Sequence, residues 1–529
     1  MPELAYKPKH NPWIIAITVT LATIMEVLDT SIANVALPHI AGSLGASQDE
    51  STWVITSYLV ANAIVLPVGA YLGSIFGRKR FYMTCVAIFG LSSLMCGLAP
   101  SLPLLLFFRV VQGLGGGGLQ PSEQSILADT FPPEKRGQAF AVYGVAVITA
   151  PIIGPTLGGW ITDNYDWRWI FFINIPIAIL SLFLTNRLVE DTPTIKREME
   201  EARKGGFRLD ITGFLLIAMT FGSLEVVLDK GQEKDWFSSH FIVGFMIVTV
   251  VGLISTIAWE LWLARKDARP ILDLRLFGGR NFAVGFLMMF VLGFTLYATT
   301  VLLPQLLQSL MGYTAELSGM AMSAGGVATI ICMPIVGILI SKVDGRFLIM
   351  FGFACISIAL FHMTGLDLQM SFGHAAALRF YQSIGLAFLF VPINTLAYIG
   401  VGPGKNNDVS GLVNLARNIG GSCGTSFFTT MLARRAQVHQ EYLVKHVYNG
   451  RVTWTAHFQA LTREALGRTP SVPDAQHHAL AQFYRTVQAQ AGVLSYIDVL
   501  QMLSLICAVM IPLALLMKKP PKGMQASAH

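Results

Sequence analysis

The sequence predicts an all-α integral membrane protein of fourteen spans, built as two six-helix bundles with two further helices inserted between them. Three observations carry that prediction. Of the 529 residues, 53% are hydrophobic and only 13% charged, with a mean hydropathy of +0.57. The lysines and arginines fall mainly on one side of the spans that the apolar blocks define. Short groups of residues also recur in the second half of the chain at a nearly constant offset from the first.

A soluble domain carries about 25% charged residues because its surface faces water. A chain with half that fraction presents most of its surface to something else. The apolar residues come in blocks, and about 20 suffice to cross a hydrocarbon core near 30 Å thick. Blocks at 13–37, 51–74, 81–99, 104–128, 138–161, 168–188, 211–229, 240–264, 282–307, 316–341, 347–366, 376–400, 409–432 and 495–517 read as the spans. The first is too long for a signal-peptide core and has no small-residue cleavage site, so it reads as a retained span. The net charge of +6 is scattered in short clusters between blocks. That is the pattern of orientation signals and not of a nucleic-acid surface. Cys85, Cys96, Cys332, Cys355, Cys423 and Cys507 lie in or beside apolar blocks without a CxxC pair, which indicates neither a disulfide framework nor a zinc site.

With the N-terminus in the cytoplasm, 24 of the 37 Lys and Arg residues fall in cytoplasmic segments, including Arg78-Lys79-Arg80, Lys135-Arg136 and Arg265-Lys266. Short outer loops hold three: Arg168, Lys230 and Lys234. Seven lie in the long outer segment 433–494, and Arg109, Arg379 and Arg417 lie inside spans. Such a bias across short loops orients the chain, and long translocated loops are largely exempt from the rule. One span more or fewer would invert every later loop. Both termini are therefore expected in the cytoplasm.

The repeat shows at offsets of 266 to 270 residues. Leu37-Pro38 with Ser43-Leu44 is echoed by Leu303-Pro304 with Ser309-Leu310. Gly69 with Gly77-Arg78 returns as Gly337 with Gly345-Arg346, and Arg109 with Gln112 returns as Arg379 with Gln382. The chain divides accordingly into an N-terminal six-helix bundle (1–188), a linker with two inserted helices (189–281), and a C-terminal six-helix bundle (282–529) carrying the outer loop 433–494. Transporters are commonly built from such repeats, with the substrate site near mid-membrane where the halves meet.

Four motifs carry a resemblance. They are Leu28 through Pro38 in the first span, Gly69 through Arg80 between spans 2 and 3, Arg109 through Gly118 in span 4, and Gly154-Pro155-Thr156-Leu157-Gly158-Gly159 in span 5. Together they resemble the major facilitator superfamily, in particular its fourteen-span drug:proton antiporter branch and the bacterial EmrB-type exporters. The resemblance implies the major facilitator fold, a loop motif at Gly69, Gly77, Arg78 and Lys79, and an antiporter motif at Pro151, Gly154, Pro155, Gly158 and Gly159. It departs at Gly73, where the family usually has an aspartate that helps lock the halves in the outward-facing state. Arg78 and Lys79 are expected to meet a helix C-terminus of the other half, since cations are favoured there.

Ionisable side chains at membrane depth cost at least about 2.5 kcal/mol each on insertion scales. Here they are Glu26, Asp29, Arg109, Glu123, Glu225, Arg379 and Arg417. Glu26 and Asp29 are three residues apart and share a helix face. Arg109 lies at a depth close to that of Asp29, which makes an Asp29–Arg109 pair geometrically possible. Arg109, Gln112, Gly116, Gln120 and Glu123 follow steps of three and four, forming a polar stripe suited to a cavity wall. Glu26 and Glu123 are the candidates for proton coupling or for recognising cationic substrate groups; Asp29, Arg109, Gln112 and Arg417 complete the candidate site. The alternative for Asp29 and Arg109 is a buried pair that only fixes helix packing. For Glu26 and Glu123 it is a hydrogen bond to a neighbouring helix. Arg379 is expected to snorkel to the outer interface, and Glu225 to lie peripheral to the main cavity.

Pro151 and Pro155 bend span 5 by removing backbone donors, and Gly154 with Gly158 permits close helix approach. The run Gly113 through Gly118 matches GxGxxG formally, but it lies within a span and lacks the strand and βαβ unit of a dinucleotide fold. No GxxxxGK[ST] is present to support direct ATP drive.

The expected function is export of drugs and toxic compounds from a Gram-negative inner membrane, driven by the proton gradient without a cofactor. By resemblance, segment 433–494 docks a periplasmic adaptor that leads to an outer-membrane channel. The alternative is a dedicated exporter of one metabolite, siderophore or fatty acid on the same fold. An enzyme or receptor would need a soluble domain. No segment outside the spans is large enough except 433–494, which lacks a nucleophile–base set.

Overall fold

The computed structural model describes residues 8–518 apart from 194, 197–198, 201–209, 267–269, 366–369, 402–404, 446–451 and 468–470. No β-strand occurs among the described residues. Six spans form the first half: α1 (Pro12–Leu44), α2 (Gln48–Phe76), α3 (Arg78–Leu98), the pair α4 (Leu102–Gly116) and α5 (Leu119–Thr130), α6 (Arg136–Asn164), and the pair α7 (Trp169–Phe172) and α8 (Asn174–Leu188). The inserted helices are α9 (Ile211–Lys230) and α10 (His240–Arg265). The second half comprises α11 (Arg280–Ser309), α12 (Ala315–Leu339), α13 (Gly345–Met363), α14 (Phe372–Ala397), α15 (Asn406–Lys445) and α17 (Val472–Leu513). A shorter helix, α16 (Val452–Leu466), lies between the last two.

Local chemistry sets the helix ends. Asn11 accepts from the backbone of Trp13 and starts α1, while Gly45 closes it in the left-handed region at φ +64°. Ser47 and Glu50 form a reciprocal capping box on α2. Gly77, at φ +91°, turns α2 directly into α3.

Among the described residues, thirteen spans are long and apolar enough to cross a bilayer by composition alone. The fourteenth is α15, whose buried face carries Asn407, Ser410, Asn414 and Arg417. It packs against α11, α17 and α2, so its polar residues meet protein instead of lipid. Span 4 is not the continuous helix expected over 104–128. It breaks between α4 and α5 at Gly117 and Gly118, where a side chain on Gly117 would meet Asn62 and one on Gly118 would meet Phe81 and Cys85.

The first half meets the second chiefly along α6 and α12. Thr156 faces Gly319, Thr149 faces Gly326, and Gln138 with Ala141 faces Gly337, so the two helices touch over their length. Helix α9 lies against α2 and α15, while α10 packs outside α9 and exposes Ile247, Val251 and Ile254, as a lipid-facing helix must. At the base of the inserted pair, Lys405 bonds Asp273 at 2.7 Å. Burial pushes the Asp273 carboxyl up, but hydrogen bonds from Arg275 and Lys405 outweigh that and hold it below its ordinary range.

Helices α15 and α17 contain 40 and 42 residues. At 1.5 Å per residue each is about 60 Å long, twice the roughly 30 Å of a hydrocarbon core. Over its described residues, the segment expected as an outer loop at 433–494 includes continuations of these two spans, α15 reaching Lys445 and α17 beginning at Val472. Asp498 on α17 ties them together by accepting from Arg435 (2.5 Å) and meeting His439 (2.6 Å), both on α15. Helix α16 packs on α17 as an addition to that expectation.

Candidate functional site

Two polar networks occupy the interior of the first half. In one, Asp29 on α1 pairs with Arg109 on α4 at 2.5 Å. Gln112 and Asn174 also donate to Asp29, at 2.9 and 2.8 Å. Arg109 donates further to Gln112 (2.8 Å) and to the Val54 carbonyl (2.9 Å), and its guanidinium lies 4.4 Å from the Tyr58 ring centre. Arg109 and Gln112 have no exposed surface. Asp29, Arg109 and Gln112 are thus enclosed within the first bundle.

The other network lies at the interfaces of α1 with α2 and α5 and of α5 with α15. Glu123 on α5 accepts from Thr20 (2.6 Å) and from Thr23, both on α1. Glu26 accepts from Asn62 Nδ2 at 3.1 Å. Neither glutamate forms an ion pair among the described residues. Arg417 on α15 reaches across from the second half to Gln120 and to the Tyr143 hydroxyl, the latter at 3.0 Å. Glu26, Glu123, Gln120 and Arg417 therefore share one neighbourhood, while Asp29 and Arg109 form a neutral unit beside it.

From Arg417 a seam of hydrogen bonds between the halves runs to the end of the bundle where α2 turns into α3. The Tyr143 hydroxyl lies 3.2 Å from Gln120 and 3.1 Å from Asn414. Asn414 donates to Gln124 (2.9 Å), and Gln124 donates to Asn394 (3.3 Å). Ser125 and Ser410 are 2.6 Å apart, and Asn406 donates to Asp129 at 2.8 Å. Nine residues separate Gln120 from Asp129, so the seam seals about 13 Å of depth along α5. The halves are closed on this side.

A family model described as Major Facilitator Superfamily matches residues 19–425. This chain belongs to the major facilitator superfamily. Its relatives include "Multidrug export protein EmrB" of Escherichia coli (strain K12), 40% identical over 82% of this chain and 83% of that protein. "Fatty acid resistance protein FarB" of Neisseria gonorrhoeae is 34% identical over 96% of each. Among solved structures, the superfamily's proton:xylose symporter XylE matches with a TM-score of 0.59 at 14% identity, covering 94% of both chains. That likeness shows the fold alone.

The superfamily motifs take definite places. Gly69 lies 3.4 Å, from the position its Cβ would take, to the Cα of Gly118, which brings α2 against the span 4 break. Arg78 does meet a helix C-terminus, but that of α5 in its own half, through Asp129 and the Ser125 carbonyl. Lys79 likewise meets the C-terminal turn of α8 through the Asn186 carbonyl at 2.7 Å. The expectation that both reach the other half is corrected: Asp129 is the linking group, holding Arg78 on one side and Asn406 of the second half on the other. Where the family usually has its loop aspartate, Gly73 faces Asn407, with 3.5 Å between a Cβ there and Asn407 Nδ2. In the antiporter motif, the Pro151 carbonyl accepts from Ser31 at 3.1 Å, and Gly154 and Gly158 face Ser31 and Ile32. Gly159 faces Val35, and Pro155 lies within the same helix. The motif packs α6 onto α1, leaving its opposite side for α12.

One further expectation changes. Arg379 does not snorkel: it is 1% exposed and donates to Gln382 (2.7 Å) and Thr299 (3.3 Å). Glu225, on the inserted helix α9, is buried and accepts from Ser422 of α15 at 2.8 Å. The partners that sequence reasoning leaves out are Thr20, Thr23, Asn62, Tyr143, Gln124 and Asn174. Gln120 with Gln124 and Ser410 with Asn414 do stand four residues apart, a spacing that marks a shared helix face.

Proposed function

We propose that this chain is a proton-coupled antiporter that exports hydrophobic or cationic drugs and toxic compounds across the bacterial inner membrane, with both termini in the cytoplasm. The observation that supports this reading is the situation of Glu26 and Glu123. Both are buried beside the seam between the halves, held by hydroxyl and amide donors, with no ion-pair partner among the described residues. Intramembrane carboxyls of this kind mark proton relays and ion pathways. Each can carry a proton or face a cationic group, and not both together. Exchange of one for the other, combined with opening of the seam, gives antiport without a cofactor. The kinship with proteins named for multidrug export supports the substrate class.

The extensions of α15 and α17 beyond membrane thickness, with α16 against them, offer a surface for a periplasmic adaptor that leads to an outer-membrane channel. Cross-linking from Val438→Cys and Tyr484→Cys to a co-expressed adaptor tests that part.

A second reading has one observation in its favour: the match to the fatty acid resistance protein spans 96% of both chains. On that reading the chain exports a single acidic compound. An efflux panel in a host lacking its main exporters decides. Resistance to several unrelated compounds, lost with a protonophore, supports the first reading. Resistance to fatty acids alone supports the second, and no efflux of any compound contradicts both.

A further inference from the structure

We propose that an apolar groove on the lipid-facing side of α1, α6 and α12 is a binding site for amphipathic organic cations arriving from the bilayer, and that Thr20 connects it to Glu123. The inference rests on the reading of Glu123 as a coupling carboxyl and adds the route by which a substrate reaches it. The groove has a volume of about 510 Å³ and extends along α1 from Trp13 to Leu28. Fifteen residues separate those two, about 22 Å at helical rise. Its volume lies within the roughly 300–1,000 Å³ of small-molecule sites.

Three features distinguish it from ordinary lipid-facing relief. It is formed where the halves meet, since Pro334 and Ile338 of α12 complete walls supplied by α1 and α6. Its outer rim is continuous with the lipid interface through Ile17, Ile153 and Ile338, which are 59%, 45% and 49% exposed. Its lining is otherwise apolar apart from Thr20, Gln138 and Thr149. Thr149 is buried, and its hydroxyl has no hydrogen-bond partner among the described residues.

Thr20 is the deciding residue. It lines the groove, and its hydroxyl donates to Glu123 at 2.6 Å, so one side chain stands between the groove and the carboxyl. Glu123 is otherwise held by Thr23 and has no cation paired with it among the described residues. A ligand with an apolar body and a positive centre satisfies both parts. The body replaces lipid along the groove, and the positive centre faces the carboxylate once Thr20 turns aside. An anionic amphiphile would bring like charges together at the same point.

The test uses tetraphenylphosphonium as the probe and the full-length protein in nanodiscs. Ala146→Trp places a large ring in the middle of the groove and is expected to weaken binding roughly tenfold or more, about 1.4 kcal/mol. Leu91→Trp, on the lipid face of α3, is expected to leave binding unchanged. A second readout avoids bulky substitution: Ile24→Cys is labelled with a lipid-soluble maleimide, and saturating probe is expected to slow labelling severalfold. Wild-type binding by Ala146→Trp, or no protection at Ile24→Cys, overturns the proposal and leaves the groove to bilayer lipid. Glu123→Gln keeps the two readings apart. If it abolishes substrate-driven proton release while Ala146→Trp binds normally, the coupling reading stands and the groove fails. If Glu123→Gln releases protons normally while Ala146→Trp loses the probe, the groove stands as a binding site and Glu123 fails as the coupling carboxyl.

Discussion

Arg109 and Arg379 each stand at the eighth residue of equivalent helices, α4 and α14, yet only Arg109 meets a carboxylate. Opposite Arg109 is Asp29; opposite Arg379 is Thr299. The glutamine one turn later is kept in both, with Gln112 donating to Asp29 and Gln382 to Thr299, each at 2.9 Å. The repeat visible in the sequence is therefore a repeat of hydrogen-bond geometry in which the charge differs.

That difference sets unequal costs for mutation. Asp29→Asn leaves a buried guanidinium without its counter-charge, and breaking a buried pair in this way costs about 3–5 kcal/mol. Thr299→Ala removes one hydroxyl acceptor and costs about 1–3 kcal/mol. Unfolding midpoints of the purified variants in detergent are expected to fall further for Asp29→Asn. Removing both charges, in Asp29→Asn with Arg109→Gln, is expected to recover part of the loss. Equal shifts for Asp29→Asn and Thr299→Ala would show that the ion pair is not what fixes α1 against α4.

The seam predicts a change in access. The Tyr143 hydroxyl touches Gln120, Asn414 and Arg417, so Tyr143→Phe removes the group shared by both halves while keeping the ring. A cysteine at Ser410, in a background without the six native cysteines, is expected to react severalfold faster with a water-soluble maleimide when Tyr143→Phe is added. An unchanged rate would mean that the seam is held by packing of α6 on α12 and not by its hydrogen bonds.

Asp129 carries the link that joins Arg78 to Asn406. Asp129→Asn is expected to leave the protein folded and to lower transport about tenfold or more, because the closed side loses its charged tie. Gly73→Asp adds a carboxylate facing Asn407 with only ordinary contact, 3.5 Å from its Cβ. It is expected to restore part of the transport lost in Asp129→Asn, measured as efflux from whole cells. No restoration would show that a carboxylate at position 73 does not substitute for one at position 129.

Much of this arrangement was legible because charges at membrane depth are few and helical rise gives each a height. Asp29 and Arg109 could be matched for depth without knowing their neighbours. The same reasoning failed for Arg379, since its partners Thr299, Thr300 and Gln382 are neutral and do not stand out among other polar residues in a span. It also failed for Arg78: a cation near a helix end predicts a C-terminus, but choosing between α5 and a helix of the other half needs tertiary contacts. The break in span 4 escaped because glycines occur within membrane helices; what decides at Gly117 and Gly118 is how closely α2 and α3 approach.

The antiporter motif makes a steric prediction. A Cβ at Gly158 would lie 3.2 Å from both Cα and the carbonyl oxygen of Ile32, which are backbone atoms and cannot swing away. Gly158→Val is expected to cost about 1–3 kcal/mol through overpacking, while Gly159→Ala, with only Val35 nearby at 3.9 Å, costs little. Detergent-exchange thermal stability separates them; a tolerated Gly158→Val would mean that α1 and α6 are not in fixed contact.

Glu26 and Glu123 are the groups proposed to exchange proton for substrate. The most direct test of that exchange is substrate-driven proton release from proteoliposomes, comparing wild type with Glu26→Gln and Glu123→Gln at matched folded protein. Release is predicted to vanish in at least one of the two variants. Release at the wild-type rate and stoichiometry in both would contradict it.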